Sequence, residues 1–280
     1  MQTFSLKNVP FRLDHTVSCG QAFRWRQHDG FWYAPFADKV WKVRQDGDTL
    51  FYNGASEKEL VRYFGLDVPL NDILDDIDKD PLIHAAIEQS RGLRIIRQDP
   101  WECLVSYICA TCANIPGIMQ RIENLSEKYG RSLELDGRIF HTFPEAEILC
   151  KEDICSVRAC KVGYRDAYIC KAAEMAANDP HWAEKIKELP YHQAKEHLMT
   201  FPGVGPKVAD CALLFGFEQY EAFPIDVWIE RILRTKYLGG AKKLSYKQAG
   251  AFAREHFGQY AGYAQEYLFG IREEISKKGE

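Results

Sequence analysis

The chain has 280 residues, of which 46% are hydrophobic and 27% charged, a balance typical of a globular protein with one large domain or two smaller ones. Lys and Arg number 36 against 40 Asp and Glu, so the formal net charge is −4. This charge excludes a generally basic protein that coats nucleic acid, and any DNA binding must come from a local patch.

Targeting signals are not apparent. The sequence has no run of about 18 apolar residues, which excludes a transmembrane helix, and residues 1–15 lack the apolar core of a secretory signal. The nine cysteines are odd in number, and a chain of this length needs no disulfides to fold. We therefore expect reduced thiols and a location in the cytoplasm or nucleoid, or in the nucleus of a eukaryotic cell.

Residues 20–54 predict strands joined by tight turns. Asp29-Gly30 and Asp46-Gly47 each lie between segments rich in aromatic and β-branched residues, which is a strong hairpin signal. Residues 23–26 alternate apolar and basic side chains, as a half-buried strand would. We expect an antiparallel meander, which could equally serve the fold alone.

Helical patterns dominate from residue 57, and almost no strand signal remains after residue 95. Asp80-Pro81 is typical of a helix start, because Asp caps the first turn and Pro fits the first helical position. Residues 101–113 have helical spacing without an interior Gly or Pro. Similar patterns lie at 57–64, 71–78, 117–129, 144–150, 165–177, 191–200, 206–216, 226–237, 246–257 and 260–275.

The balance of acidic and basic residues also changes between the two parts of the chain. Residues 1–90 hold 10 basic and 14 acidic side chains, whereas residues 91–280 hold 26 of each. The second part is therefore neutral and free to present a basic face. We predict an α+β protein with an N-terminal antiparallel sheet domain and flanking helices at 1–90, followed by a helical domain at 91–280.

The segment 189–217 predicts a helix, a tight turn and a second helix. Gly203 and Gly205 in the turn permit a positive φ and a close approach by another backbone, and Pro206 opens the second helix. A DNA phosphate would suit the positive end of this helix together with the backbone N–H groups of Gly203, Val204, Gly205 and Lys207. A DNA-binding hairpin without catalysis explains this pattern as well.

Two side chains near the turn are of types that can take part in catalysis. Lys207 lies in the first turn of the second helix, where the helix dipole disfavours a cation. The same repulsion, with partial burial, favours the uncharged amine that acts as a nucleophile, although a phosphate-binding lysine is a fair alternative. Asp226 follows 19 residues later. It either caps the next helix or stabilises a cationic, sugar-like transition state beside the amine.

The segments FPGVGPKVADC and FPIDV resemble the helix-hairpin-helix DNA glycosylases, and within them the 8-oxoguanine DNA glycosylase/lyases. Four further segments resemble signatures of that family in the same order: FRLDHTVSCGQAFRW, RQDPWECLVSYICA, VGYRDAYI and YAGYAQEYLF. The resemblance covers nearly the whole chain, so chance agreement is negligible. It implies that the helical domain is an all-α helix-hairpin-helix glycosylase domain.

The resemblance also implies a reaction in base excision repair. Lys207 would attack the anomeric carbon of the damaged nucleotide, expel 8-oxoguanine and form a Schiff base, after which β-elimination would cleave the strand. Asp226 would support departure of the base. The base must first leave the duplex, and the implied partner is double-stranded DNA containing oxidised guanine. We expect a monomer without membrane contact.

A pocket for the extruded base follows from the same resemblance. The Gly20 carbonyl would accept the N7 proton that only the oxidised purine carries, and would face a lone pair on normal guanine. Phe269 would stack on the base and Gln265 would read its Watson–Crick edge, although the residue pattern alone favours a core and a surface position for them. Pro224 and Cys211 would complete the pocket.

Further positions match the family's DNA contacts. Tyr164 and Arg165 would wedge into the base stack and contact the orphaned partner base, although such an arginine is more usually solvated or bound to phosphate. The turn of Gly203, Val204 and Gly205 would hold backbone phosphate and could also hold a monovalent cation. Trp228 lies where the family has a phosphate-contacting histidine.

The chain departs from the family where the relatives contact the opposite cytosine. Their three-asparagine wedge appears here as Cys112, Ala113 and Asn114, and the arginine expected three residues later is Gly117. These changes predict a weaker preference for cytosine opposite the lesion.

No cofactor is predicted. Cys109 and Cys112 form a single pair without a second one, and four other cysteines lack paired metal-ligand spacing: Cys150, Cys155, Cys160 and Cys170. No cysteine follows Cys211, which excludes the iron–sulfur cluster of endonuclease III-type relatives.

Two other functions stay open. A DNA-binding or scaffold protein that uses the hairpin alone would need neither Lys207 nor Asp226. A monofunctional alkylpurine glycosylase of the same fold would use the carboxylate without the lysine, so Lys207 argues against it.

Overall fold

The computed structural model describes residues 1–240 and 244–272 of the chain. Its N-terminal part is a five-stranded antiparallel sheet with the strand order β1-β5-β4-β3-β2. The strands are β1 (Gln2–Ser5), β2 (Arg26–His28), β3 (Phe31–Phe36), β4 (Lys39–Asp46) and β5 (Thr49–Asn53). The predicted meander is confirmed in β2 to β5, and β1 adds an unpredicted strand beside β5.

Both predicted turns join neighbouring strands. Asp29 and Gly30 have φ values of 50° and 76°, the left-handed pair that a two-residue hairpin between β2 and β3 requires. Gly47, with φ of 54°, turns the chain between β4 and β5. These turns fix the register, because His28 then lies opposite Phe31 and the whole meander follows.

The predicted strand at residues 23–26 was wrong. Only Arg26 belongs to β2, and Phe23, Arg24 and Trp25 are all buried. The Arg24 guanidinium can be buried because it lies 3.0 Å from the Glu102 carboxylate. The alternating pattern did not show that this cation has a half-buried carboxylate partner.

The predicted helices are confirmed, although several begin or end a few residues away from the predicted positions. The predicted helix at 226–237 continues after residue 232 as a π-helix, Leu233–Tyr237, and residues 273–275 of the last predicted helix lie outside the described residues. Three short helices, α1, α8 and α10, were not predicted. The helices are α1 (Leu13–Ser18), α2 (Glu57–Tyr63), α3 (Leu70–Ile77), α4 (Pro81–Ser90), α5 (Pro100–Ala110), α6 (Ile115–Tyr129), α7 (Ala146–Leu149), α8 (Ile154–Val157), α9 (Asp166–Asn178), α10 (Trp182–Lys187), α11 (Tyr191–Leu198), α12 (Pro206–Gly216), α13 (Val227–Ile232), α14 (Tyr246–Phe257) and α15 (Ala261–Gly270).

A second hairpin corrects the expectation of almost no strands after residue 95. Strands β6 (Ser132–Leu135) and β7 (Arg138–His141) flank an Asp136-Gly137 turn, the same signal that marked the first sheet. The Asp136 carboxylate accepts hydrogen bonds from Tyr33 and Lys42 of the large sheet. This contact attaches the small hairpin to the N-terminal part.

Two large hydrophobic cores and a small cluster of Tyr33, Val40 and Phe140 lie among the described residues. One lies under the sheet and includes Val43, Leu50 and Phe64. The larger one lies among the helices and includes residues of α3 and α4. The boundary at residue 90 stays a prediction. Within the described ranges, no helix has the length and apolar character needed to cross a bilayer.

A buried arginine and a buried glutamine connect the N-terminal segments to the helical part. Arg94 is 1% exposed and donates to the carbonyls of Pro10, Gly65 and Val68. Gln21 donates to the Arg94 carbonyl at 2.8 Å and accepts from the Ile96 N–H at 2.7 Å. Residues 19–21 are thereby fixed against the helical part.

We predict that Arg94→Met lowers the free energy of unfolding by about 3 kcal/mol or more, because three carbonyl oxygens lose a buried charged donor. The matched change Arg91→Met removes only an exposed pair with Glu88 and should cost at most about 0.5 kcal/mol. Urea unfolding followed by circular dichroism measures both. Equal losses in the two variants would contradict the proposed role of Arg94 in the fold.

Candidate active site

Helices α11 and α12 form the predicted helical hairpin. Gly203 in its turn has φ of +81°, and a Cβ there would lie 2.8 Å from the Tyr168 ring, so both the backbone and the space require glycine. Gly205 differs from the expectation, because its φ is −89° and a Cβ would meet open space. The Val204 N–H donates to the Phe201 carbonyl at 3.1 Å, so it is already bonded within the turn, and its role toward phosphate stays a prediction.

Lys207 is the second residue of α12, and its side chain is half-buried. The amine lies 5.2 Å from the centre of the buried Tyr107 ring, an arrangement that attracts a cation to the ring face. Cys211 follows one turn later on the same helix. Burial raises the pKa of the Cys211 thiol to about 12, opposed by the Lys207 charge and hydrogen bond. The thiol is therefore protonated at neutral pH.

Asp226 is the N-cap of α13. One carboxylate oxygen, Oδ1, accepts hydrogen bonds from the N–H groups of Trp228 at 3.0 Å and Ile229 at 2.8 Å. The capping interpretation is therefore confirmed. Pro224, two residues earlier, is buried, so the segment leading to Asp226 is anchored in the core.

Glu266 is a buried carboxyl that the sequence reasoning missed. It is 4% exposed, and the Cys19 thiol donates to its Oε2 at 3.4 Å. Burial raises the pKa of Glu266 to about 7, the nearby Asp226 charge raises it further, and Cys19, Arg272 and Lys207 lower it. The charges of Lys207 and Asp226 thus both act on this carboxyl. A single charged residue within the apolar helix α15 was the signal in the sequence.

Gly20 and Phe269, two of the predicted pocket residues, lie close together. Gly20 has φ of +100°, and a Cβ there would lie 3.0 Å from Ile115 and 3.8 Å from the Phe269 ring. Phe269 is half-buried, and the Arg272 guanidinium lies 4.0 Å from its ring centre. Gln265 is buried rather than at the surface, and its Oε1 accepts no hydrogen bond from any described residue.

Arg165, which is predicted to contact the orphaned base, is not the solvated side chain that an arginine near a helix start usually is. It is 4% exposed and donates to the carbonyls of Val162 and Thr111, while Tyr164 beside it is 54% exposed. Thr111 begins the turn between α5 and α6, in which Cys112 is exposed with φ of 49°. Arg165 therefore joins the two segments that were predicted to enter the base stack.

The other predicted DNA-contacting residues lie at or near the surface. Asn114 is exposed, and its Oδ1 caps α6 by accepting from the Gly117 N–H at 2.9 Å. Trp228 is half-buried, with the Arg231 guanidinium 5.3 Å from its ring centre. Tyr168 forms an edge contact with Tyr164 at 6.3 Å, so the predicted wedge and the hairpin share one surface.

A cavity of about 400 Å³ lies elsewhere, between the sheet and the helical part. Its walls include Arg24, Trp101, Glu102 and Trp182 but none of the predicted site residues. The charges of Lys207 and Asp226 act instead on Glu266, in helix α15.

A helical domain whose hairpin carries a lysine, followed by an aspartate at a helix start, defines a helix-hairpin-helix DNA glycosylase. Residues 3–104 match the family model described as 8-oxoguanine DNA glycosylase, N-terminal domain. The chain is 33% identical over 233 residues to the probable N-glycosylase/DNA lyase of Methanothermobacter thermautotrophicus, covering 76% of this chain and 73% of the relative. It is 31% identical over 297 residues to the N-glycosylase/DNA lyase OGG1 of Arabidopsis thaliana, covering 96% and 81%.

A solved structure is similar to this chain over nearly its whole length. The Clostridium acetobutylicum 8-oxoguanine glycosylase/lyase, in complex with double-stranded DNA containing cytosine opposite 8-oxoguanine, is 35% identical with a TM-score of 0.90. The match covers 95% of this chain and 93% of that one. The chain belongs to the 8-oxoguanine DNA glycosylase/lyase family.

We predict that Glu266→Gln changes how stability depends on pH. The folded-state pKa of Glu266 is about 7 against a usual value of 4.5, so the native state holds a proton that the unfolded chain releases between these values. Wild-type stability should therefore fall by up to about 3 kcal/mol from pH 4.5 to 7 through this group. The Glu266→Gln variant should not show this loss of stability, because glutamine does not titrate.

Urea unfolding of wild type and Glu266→Gln at pH 5 and pH 8 tests this. The exposed Glu255→Gln is the control, and it should keep the wild-type pH dependence. Parallel behaviour of Glu266→Gln and wild type would show that the carboxyl titrates normally.

Proposed function

We propose that this chain excises 8-oxoguanine from duplex DNA and then cleaves the strand, with Lys207 as the nucleophile and Asp226 as the supporting carboxylate. The observation that carries the proposal is the half-buried Lys207 amine, which lies over the Tyr107 ring and whose charge, like that of Asp226, acts on the buried Glu266 carboxyl. As a family member the chain is a DNA glycosylase with AP lyase activity, and it acts in base excision repair.

The reaction begins when the uncharged Lys207 amine attacks the anomeric carbon of the extruded nucleotide. The bond to the base breaks, and the base leaves with the bonding electrons. The attacking nitrogen gives one proton to the departing base. Its lone pair then forms the C=N bond as the bond from C1′ to the ring oxygen breaks, and the ring oxygen takes a proton from water, which leaves a protonated Schiff base. Loss of a C2′ proton then expels the 3′ phosphate and cleaves the strand.

Asp226 supports the first of these steps. Positive charge develops on the sugar as the base departs, and a fixed carboxylate stabilises it. The two N–H groups of α13 hold Oδ1 in place, so the carboxylate does not have to reorient during the reaction.

Recognition of the lesion follows from the pocket. The Gly20 carbonyl accepts the N7 proton of the oxidised purine, and a side chain at this position would crowd Ile115. The Oε1 of Gln265 can accept from the Watson–Crick edge of the base, which fits its buried position without a partner among the described residues. Phe269 stacks on the base, while Pro224 and Cys211 close the pocket.

DNA is the partner of this surface. The hairpin residues Gly203 and Gly205 and the α12 start hold a backbone phosphate, with Trp228 beside them. Tyr164 enters the base stack, and the turn with Cys112 and Asn114 faces the opposite base. Arg165 reaches that base only by leaving the carbonyls of Val162 and Thr111.

The proposal needs no prosthetic group, because an amine and a carboxylate supply the chemistry. A monovalent cation at the hairpin is compatible with it and stays a prediction. We propose that the chain acts as a monomer, with no membrane partner, in the compartment that holds the chromosome.

We predict that Lys207→Ala abolishes the adduct that borohydride traps on an 8-oxoguanine duplex and slows base release by roughly a thousandfold or more, since the nucleophile is gone. DNA affinity and thermal stability should stay near wild type, because the side chain is only half-buried.

The matched control is Lys171→Ala, which changes an exposed residue of α9. This variant should form the borohydride-trapped adduct as wild type does. An adduct formed by Lys207→Ala would assign the nucleophile to another residue. Base release from 3-methyladenine DNA without any adduct in the wild-type chain would favour an alkylpurine glycosylase instead.

We predict a weak preference for cytosine opposite the lesion, with single-turnover excision rates opposite the four bases within about tenfold of one another. The reason is that Cys112 and Gly117 replace polar residues that contact the opposite base in relatives. Cys112→Asn should increase the preference, because asparagine tolerates the left-handed backbone at this position. The exposed Cys155→Asn is the control.

A steep preference for cytosine in the wild-type chain would contradict this prediction. It would show that Arg165 or another group is sufficient to recognise the opposite base.

A further inference from the structure

A second carboxylate on α12 is more deeply buried than the lysine. Asp210 follows Lys207 by three residues and is 1% exposed. Its Oδ1 accepts from the Tyr191 hydroxyl at 2.8 Å, and its Oδ2 accepts from the Lys195 amine and the Tyr246 hydroxyl, both at 2.7 Å. A buried carboxylate is stable only when such donors surround it.

These donors come from two different helices. Tyr191 and Lys195 belong to α11, so Asp210 connects the two helices of the hairpin. Tyr246 is the first residue of α14, and Arg254 of the same helix donates to the Tyr191 hydroxyl at 3.0 Å. The helix that carries Lys207 is therefore fixed to α11 and α14 through one carboxylate.

Tyr246 also contacts the segment that carries Asp226. Its hydroxyl oxygen accepts from the backbone N–H of Ile225 at 3.2 Å while its proton goes to Asp210. Burial and the Asp210 charge raise the pKa of Tyr246 far above its usual range, so the hydroxyl remains a donor. Ile225 therefore donates to Tyr246, and Tyr246 in turn donates to Asp210.

We propose that Tyr246, held by Asp210, is a positioning residue that fixes the Asp226 carboxylate relative to the Lys207 amine. The inference rests on the proposed function of these two groups. The cap on α13 orients Asp226 within its own helix but does not determine where that helix lies relative to α12. The Tyr246 hydroxyl links the two, because it donates to Asp210 of α12 and accepts from the N–H of Ile225, the residue before Asp226.

The size of the expected effect follows from the geometry of the reaction. A displacement of about 1 Å between reacting groups can cost roughly a hundredfold in rate. Removing the hydroxyl leaves the Ile225 N–H without its acceptor and Asp210 with two donors. The ring remains and the core stays filled, so the change acts on the position of the 224–226 segment rather than on packing.

The test compares Tyr246→Phe with Tyr237→Phe. Tyr237 is also a half-buried tyrosine whose hydroxyl bonds an aspartate, Asp80, but it contacts no residue of the site. Single-turnover base excision at saturating enzyme and the Kd for an 8-oxoguanine duplex are measured for both. Strand cleavage at a preformed abasic site is measured separately, because that substrate has already lost its base.

Tyr246→Phe should lower the excision rate by roughly ten- to a hundredfold, with less than a threefold change in Kd. Cleavage of the preformed abasic site should fall much less, since Asp226 acts in base departure. Tyr237→Phe should keep all three values within twofold of wild type. A purely structural role for Tyr246 would instead weaken binding and both reactions together, and this result would overturn the inference.

A second variant separates positioning from stability. Tyr191→Phe removes a hydroxyl from the same Asp210 carboxylate but leaves the contact between Tyr246 and Ile225 in place. It should lose thermal stability at least as much as Tyr246→Phe while excising within about threefold of wild type. Equal rates in Tyr246→Phe and Tyr191→Phe would overturn the inference. A wild-type chain that forms no borohydride adduct would instead contradict the proposed function itself.

Discussion

The site depends on a cation placed where its own helix disfavours it. Lys207 lies in the first turn of α12, and the dipole of that helix opposes a positive charge there. The Tyr107 ring face and the Glu266 carboxyl compensate this charge. Because these groups come from three different helices, the position of one amine constrains how α5, α12 and α15 pack.

Residues 19–21, which precede most of the N-terminal sheet, are held against the helical part. Arg94 and Gln21 fix residues 19–21 against the helical part, and the Tyr107 hydroxyl donates to the Gln21 carbonyl at 3.1 Å. Gly20 is thereby held beside Phe269 with a backbone that only glycine adopts without strain. In the proposed function, both parts of the chain therefore contribute to recognition of the base.

The structure differs from the family pattern mainly on the side of the opposite base. Arg165 is bonded to Thr111 and supports the turn that holds Cys112, so this turn is fixed although its side chains are not those of the relatives. The residues proposed for the lesion pocket and for the nucleophile, in contrast, lie in segments that match the family signatures.

The sequence by itself determined the local features. The Asp-Gly turns at residues 29 and 46, the Asp80 cap and the glycine of the hairpin each depend on a few neighbouring residues, and the structure confirms them. Resemblance to a family added the roles proposed for Lys207, Asp226 and the pocket. The hairpin at Asp136-Gly137 carried the same local signal and was overlooked among the helical patterns.

Only the tertiary structure decided which polar groups are buried. Arg24, Arg165, Gln265, Glu266 and Asp210 all have polar side chains that a local pattern assigns to the surface, yet each is at most 7% exposed. Four of them are buried beside partners that are distant in sequence, such as Glu102 for Arg24 and Cys19 for Glu266. A buried charge is stable only beside its partner, and which residues become partners is decided when distant segments pack together.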